Sequence, residues 1–153
     1  MSRTKLLLDH FLPYRLSVAS NSVSQAIARS YEDEHALSMQ EWRVIAVLAE
    51  GGELTQQEIV GRTKMDKVTV SRAARALEDR GILRRKPSAD DARSLRLSLT
   101  AEGRKIYVKV VPALTELERE VLKDLSAKER ADLEALLLRV EAAADRVLAR
   151  SAK

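Results

Sequence analysis

Between Thr55 and Thr100 the chain carries start and stop signals so closely spaced that only short elements fit between them. Thr55 and Glu58 form a Thr-x-x-Glu capping box, in which hydroxyl and carboxylate satisfy each other's orphaned backbone N–H groups. A short helix carrying Ile59 and Val60 follows, with Gly61 at its end or in its last turn. Asp66 is placed to cap a second helix over residues 67–80, which Gly81 stops. Residues 82–86 read as a strand and 87–94 are turn-rich. Leu95-Arg96-Leu97-Ser98-Leu99 alternates strictly, as a half-buried strand does. Helix, turn, helix and β-hairpin in that order make a winged helix-turn-helix.

The flanks read as helices. Leu12, Leu16, Ala19, Val23 and Ile27 recur at three- and four-residue steps, which predicts a helix over 12–31. Pro13 suits its first turn, and the polar run Tyr31 to His35 leads out of it. Ser38 and Glu41 form a second capping box before Trp42, Val44, Ile45, Val47 and Leu48, and Gly51-Gly52 stops that helix. Thr100 caps a long helix over 101–124, with a kink or local break expected at Pro112. Ser126 and Glu129 supply a third capping box, and the last helix runs to about 149. Leu133, Leu136, Leu137, Val140, Ala144, Val147 and Leu148 form one stripe along it.

Charge sets the middle segment apart. The chain has 153 residues and a net charge of +4. Residues 53–100 hold 11 Lys and Arg against 7 Asp and Glu, so the whole excess lies there and the remainder balances. A basic surface on a neutral frame is the footprint of a polyanion binder. Hydrophobic residues at 45% are enough for a core. There is no cysteine, which excludes a disulfide framework, a thiol switch and a cysteine zinc site.

The second helix of the middle segment has two faces. With successive residues about 100° apart, Val70, Ala73, Ala74 and Leu77 share one side and pack inward. Val68, Arg72, Arg75 and Asp79 lie opposite, with Lys67, Thr69 and Ser71 on the flanks near the N-terminus. Two arginines one turn apart can reach guanine edges or phosphates in a major groove. Hydroxyls serve bases or phosphates, and Val68 fits a thymine methyl. In the hairpin loop Arg93 stands beside Asp90 and Asp91. A carboxylate there can hold the guanidinium in a fixed pose for entry into the minor groove.

These residues resemble the MarR family of bacterial regulators. The resemblance is carried by Thr-Val-Ser-Arg at 69–72, by the run from Leu77 to Leu83, by Asp91 and Arg93 of the wing, and by the stretch from Leu97 to Gly103. It spans nearly the whole chain. It implies a homodimer in which the first and last two helices intertwine, bound to pseudo-palindromic promoter sites, usually as a repressor. Residue by residue it implies DNA contacts from Lys67, Val68, Thr69, Ser71, Arg72, Arg75 and Arg93, with Asp91 supporting the wing. Relatives that sense oxidants through cysteine are not matched.

The sequence supports a dimer independently, because the first and last helices carry more Leu, Val and Ala than a small winged domain can cover. The expected fold is mainly α with a small β-hairpin wing, an α+β winged helix-turn-helix with N- and C-terminal dimerisation helices. Residues 1–36 and 101–153 form the helical dimerisation region, and 37–100 the DNA-binding domain.

The resemblance also implies a small aromatic anion as effector, held between dimer helices and winged domain. His10, Tyr14, Arg15, Trp42 and Arg43 are the candidates, since an arginine beside a ring can hold a carboxylate over a flat face.

An enzyme has little to build on: two His, no Cys, and no phosphate-binding or zinc-protease motif. No metal or cofactor is expected. The alternative is a winged-helix module that binds protein without sequence-specific DNA binding; such modules lose the basic outer face that Arg72 and Arg75 keep. With no apolar run of membrane length and only a short cluster at Leu6, Leu7 and Leu8, a cytoplasmic, nucleoid-associated bacterial protein is expected.

Overall fold

The computed structural model describes residues 6–91 and 93–151, and the side chains of these except Ser30, Glu32, Asp33 and Glu34. After a short 3-10 turn at Leu8–His10 come α1 (Leu12–His35), α2 (Met39–Gly51), β1 (Leu54–Thr55), α3 (Gln56–Thr63) and α4 (Lys67–Asp79). β2 (Leu83–Pro87), β3 (Leu95–Leu99), α5 (Ala101–Val121) and α6 (Ala127–Ser151) complete the order. The fold is a mainly helical winged helix-turn-helix with a small antiparallel sheet. The chain divides into two compact units, one to Thr115 and one from Glu116.

The caps read from the sequence form as expected. Ser38 with Glu41 and Thr55 with Glu58 make complete capping boxes, and Asp66 accepts the Thr69 N–H at 2.9 Å. Ser126 and Glu129 exchange the same pair of bonds at the head of α6, at 2.7 and 3.3 Å. Each satisfies N–H groups that the first helical turn leaves without partners. Gly81 sits at φ +69, a left-handed conformation that glycine adopts without steric cost, and it turns the chain from α4 into the wing.

Three expectations are corrected. α1 does not end at residue 31 but continues through the polar run to His35, because Tyr31 is fully buried and stacks on Trp42, which keeps that turn helical. α3 ends at Thr63 with Gly61 in its last turn, one of the two placements expected, and Lys64 follows in the left-handed region at φ 57. α5 runs on without a break through Pro112 and stops at Val121. The hairpin gains a third strand: Leu54 pairs with Leu97 and Thr55 with Arg96, so the sheet order is β1-β3-β2.

The core of the first unit collects Val44, Ile45 and Leu48 from α2, Ile59 from α3, and Val70, Ala74 and Leu77 from α4. Ile82, Leu83, Leu97 and Leu99 join from the sheet side, and Ile106 and Val110 from α5. Trp42 lies between two rings, 5.7 Å from Tyr31 and 5.8 Å from Tyr107. Its neighbours come from α1 and α5, so three helices meet at one aromatic stack. Gly103 at the head of α5 admits the Ile82 carbonyl so closely that a Cβ would collide with it. The Thr100 hydroxyl donates to the Gly81 carbonyl at 2.7 Å and accepts the Gly103 N–H at 3.1 Å, tying this helix start to the end of the helix-turn-helix.

α6 is different. None of its residues is buried; Leu136 is 52% exposed and Leu148 67%. Among the described residues no helix is long and apolar enough to cross a membrane.

Candidate nucleic-acid interface

α4 presents the two faces the sequence gives it. Val70, Ala73, Ala74 and Leu77 are buried against the core. Lys67, Val68, Arg72 and Arg75 are exposed, and Val68 keeps 58% of its surface open. A valine standing out on a basic helix face suits an apolar base edge better than water. Ser71 is half-buried on the flank.

Thr69 is placed differently. Its hydroxyl donates to the Asp66 carboxylate at 2.6 Å, and its N–H caps onto the same side chain. These two bonds, the hydroxyl first, hold the Asp66 carboxyl below its usual pKa, so it stays ionised and keeps the helix start fixed. The Thr69 hydroxyl proton is therefore engaged within the protein, and Thr69 orders the head of α4.

The wing is braced against this helix. Arg85 of β2 donates from Nε to Glu78 of α4 at 2.8 Å. Arg96 of β3 donates to the Glu53 carbonyl at 3.0 Å and stands 3.8 Å from Glu58. Arg84 donates to Ser98 at 3.1 Å, which gives that buried hydroxyl its partner. Glu58 is held below its usual pKa by the Thr55 backbone and hydroxyl, with Arg96 and Arg62 adding to the effect. At the loop, Asp91 accepts the Arg93 backbone N–H at 2.9 Å, and its own carbonyl accepts from Ser94 at 2.9 Å. Asp91 thus bonds to the backbone of its own loop. The Arg93 side chain is exposed.

Sequence reasoning missed a second lining of this surface. Gln56 and Gln57, at the start of α3, join Arg85, Arg93 and Leu95 around an open groove of about 340 Å³ between helix start and wing. The only sequence signal is their place as the first two residues after a capping box, where the backbone N–H groups point along the helix axis.

The effector candidates are scattered. His10, Tyr14 and Arg15 are exposed near the start of α1. Trp42 is 8% exposed and belongs to the aromatic stack. Arg43, one step further round α2, opens instead on a cleft of about 520 Å³. Polar residues of α1 (Ser20, Asn21, Ser24, Gln25) form one wall, and Lys64, Met65, Asp66 and Thr69 another. Trp42 is not among the residues that line this cleft.

Among the described residues no group of three His, Asp or Glu side chains could hold a metal ion.

A model described as the MarR family matches residues 37–94. The chain is 33% identical over 129 residues to the HTH-type transcriptional regulator PecS of Dickeya dadantii, covering 82% of this chain and 77% of that protein. It is 26% identical over 103 residues to the homoprotocatechuate degradative operon repressor of Escherichia coli, covering 67% of this chain and 70% of that one. The solved structure of a MarR/EmrR family transcriptional regulator from Acinetobacter sp. ADP1 matches in fold with a TM-score of 0.85. At 23% identity it covers 92% of this chain and 99% of that one.

Proposed function

The chain belongs to the MarR family of DNA-binding transcriptional regulators and is not an enzyme, and from that premise we propose that it acts as a homodimeric repressor of a pseudo-palindromic operator. Residues 37–100 serve as the reading head, and 1–36 with 101–153 as the dimerisation region. The observation that carries this reading is α4: one face seals the core while Lys67, Val68, Arg72 and Arg75 stand free on the other. Two-fold symmetry places two such helices in successive major grooves, about 34 Å apart or a multiple of it. Ser71 flanks the contact and Arg93 enters the neighbouring minor groove, with Thr69 and Asp91 acting through the backbone they order. The protein works in the bacterial cytoplasm, on the nucleoid.

The test is a mobility-shift titration at several salt concentrations with operator selected from genomic fragments. Binding falls steeply with log salt as phosphates are neutralised. The double variant Arg72→Ala, Arg75→Ala loses specific binding by roughly 30-fold or more, at about 1–3 kcal/mol for each base-reading arginine, while staying folded and dimeric. Specific binding that survives the double change overturns the assignment of the helix face.

A small aromatic or phenolic acid releases the operator. Arg43 and Lys64 offer positive charge in the α1–α2 cleft, and Met39 and Met65 offer soft apolar surface for a ring. Asp66 and Thr69 of the same cleft form the cap of α4, so an occupant there presses on the head of the recognition helix. Unchanged mobility-shift curves across a panel of aryl acids overturn the effector reading and leave the DNA reading intact.

A further inference from the structure

Polar contacts that fasten the recognition helix to the start of the chain converge on one residue. Past Leu77, the last buried residue of α4, the chain reaches Arg80 at the helix C-cap. Its guanidinium donates from Nη2 to the His35 carbonyl at 2.7 Å and from Nη1 to the Ala36 carbonyl at 3.0 Å. Nη1 also stands 3.7 Å from Oε2 of Glu41. These three acceptors belong to the end of α1, the turn after it and the cap of α2. The last carbonyls of a helix lack intrahelical donors, so they are open to such a partner. Ala36 has φ +49, and this left-handed residue turns successive carbonyls toward the same fork. Glu41 is held in place by its own capping bond, with Oε2 accepting the Ser38 N–H at 2.8 Å.

α1 sinks little of its own surface into the winged domain. Among its described residues only Ala28 and Tyr31 are buried. Apolar contacts of that kind resist separation but tolerate sliding. A planar guanidinium shared by two carbonyls and a carboxylate is directional and resists rotation.

We propose that Arg80 is a positioning residue that sets the angle between α1 and α4, and through it the distance at which a dimer holds its two recognition helices. The inference rests on the dimeric operator reading above. Arg80 itself touches no base in this scheme; it acts through the helix it terminates.

The experiment compares wild type, Arg80→Ala, Arg80→Lys and Glu41→Gln on a set of operators. The set carries the selected site with its half-sites moved apart or together by one and two base pairs. Thermal melting and sedimentation monitor fold and dimer in parallel. Wild type prefers one spacing. Arg80→Ala loses about tenfold on that spacing, a coupling effect of ordinary size, and keeps its affinity for the shifted sites, so discrimination flattens. Arg80→Lys, whose compact ammonium lacks the planar fork that spans the two carbonyls, falls between. Glu41→Gln preserves the capping box while removing the charge, and it flattens discrimination more weakly. This variant decides the matter if Arg80→Ala does not fold. Equal losses at every spacing, or wild-type ratios in all variants, overturn the role of Arg80. A wild type indifferent to spacing overturns the dimeric operator reading and the inference with it.

Discussion

The helix-turn-helix and α6 are both built from Leu, Val and Ala at helical spacing, yet their side chains end in opposite places. In α2 and α4 the apolar stripe is sealed: Val44, Ile45, Val70, Ala74 and Leu77 have no exposed surface. In α6 Leu133, Leu136, Leu137, Leu138, Val140, Val147 and Leu148 all remain exposed. The same pattern therefore describes a finished core in one region and an unfinished one in the other. Periodicity shows which face seeks cover, and only the packing shows whether the chain supplies it. The winged region has its core from its own sequence, which leaves its basic outer face free of any packing duty; α6 leaves its apolar stripe open, the face that the proposed dimer would cover.

The largest effect expected from this contrast lies in the sealed core. Leu77→Ala removes a buried side chain and leaves a cavity, at about 2–5 kcal/mol. A large fall in thermal midpoint, the same at every protein concentration, is the expected result, and a midpoint within a degree of wild type would break the comparison. Next comes Leu137→Asp in α6. Exposed already in the single chain, Leu137 contributes no core there, so the variant folds with the same secondary structure. Its dimer weakens by about 1.5–3 kcal/mol, the worth of burying one leucine. Sedimentation across a dilution series reads this as a shift of the monomer–dimer midpoint; an unshifted midpoint would remove α6 from the interface. Arg93→Ala is smaller still. It lowers affinity for all sequences alike and reduces the slope of log affinity against log salt by about one. A change in operator preference instead would make Arg93 a reader of bases.

The smallest effect is a dependence on pH. Glu58, Asp66 and Glu129 each cap a helix, and hydrogen bonds from Thr55, Thr69 and Ser126 hold their carboxyls below ordinary values. A carboxyl lowered on folding contributes stability that is fully present above its unfolded pKa of about 4 and is lost as pH falls through the folded value. The thermal midpoint is therefore flat near neutrality and declines in the acid range below about pH 5. Asp66→Asn, which keeps the cap without the charge, declines less; an equal decline would remove this cap from the acid response.

Much of the fold was legible because its signals are local. Capping boxes, glycine stops and the alternation of β3 act within a few residues, and each appears where the spacing places it. The buried and exposed faces of α4 follow the same logic. What stayed hidden depends on partners far along the chain. Two residues, Leu54 and Thr55, are too few to show a period, and they become a strand only because β3 lies beside them. The polar run after Tyr31 looks like an exit from a helix, but Tyr31 is anchored by a ring from α2. Nothing in the spacing of Thr69 separates a base contact from a bond to its own cap. Nothing local distinguishes Arg80 among so many basic residues, because its acceptors lie 44 and 45 positions earlier.

The three-ring stack has a further use. Trp42 is the single tryptophan of the chain, so every quantum of indole fluorescence comes from the meeting point of α1, α2 and α5. An indole shut away from water emits toward the blue, and its yield responds to rings a few ångströms away. The protein thus carries a built-in optical gauge, set where three helices meet and not on the exposed face of α4. Duplex binding on the outer face of α4 leaves the emission nearly silent, whereas any ligand or substitution that slides α1 or α5 past α2 changes its colour and brightness.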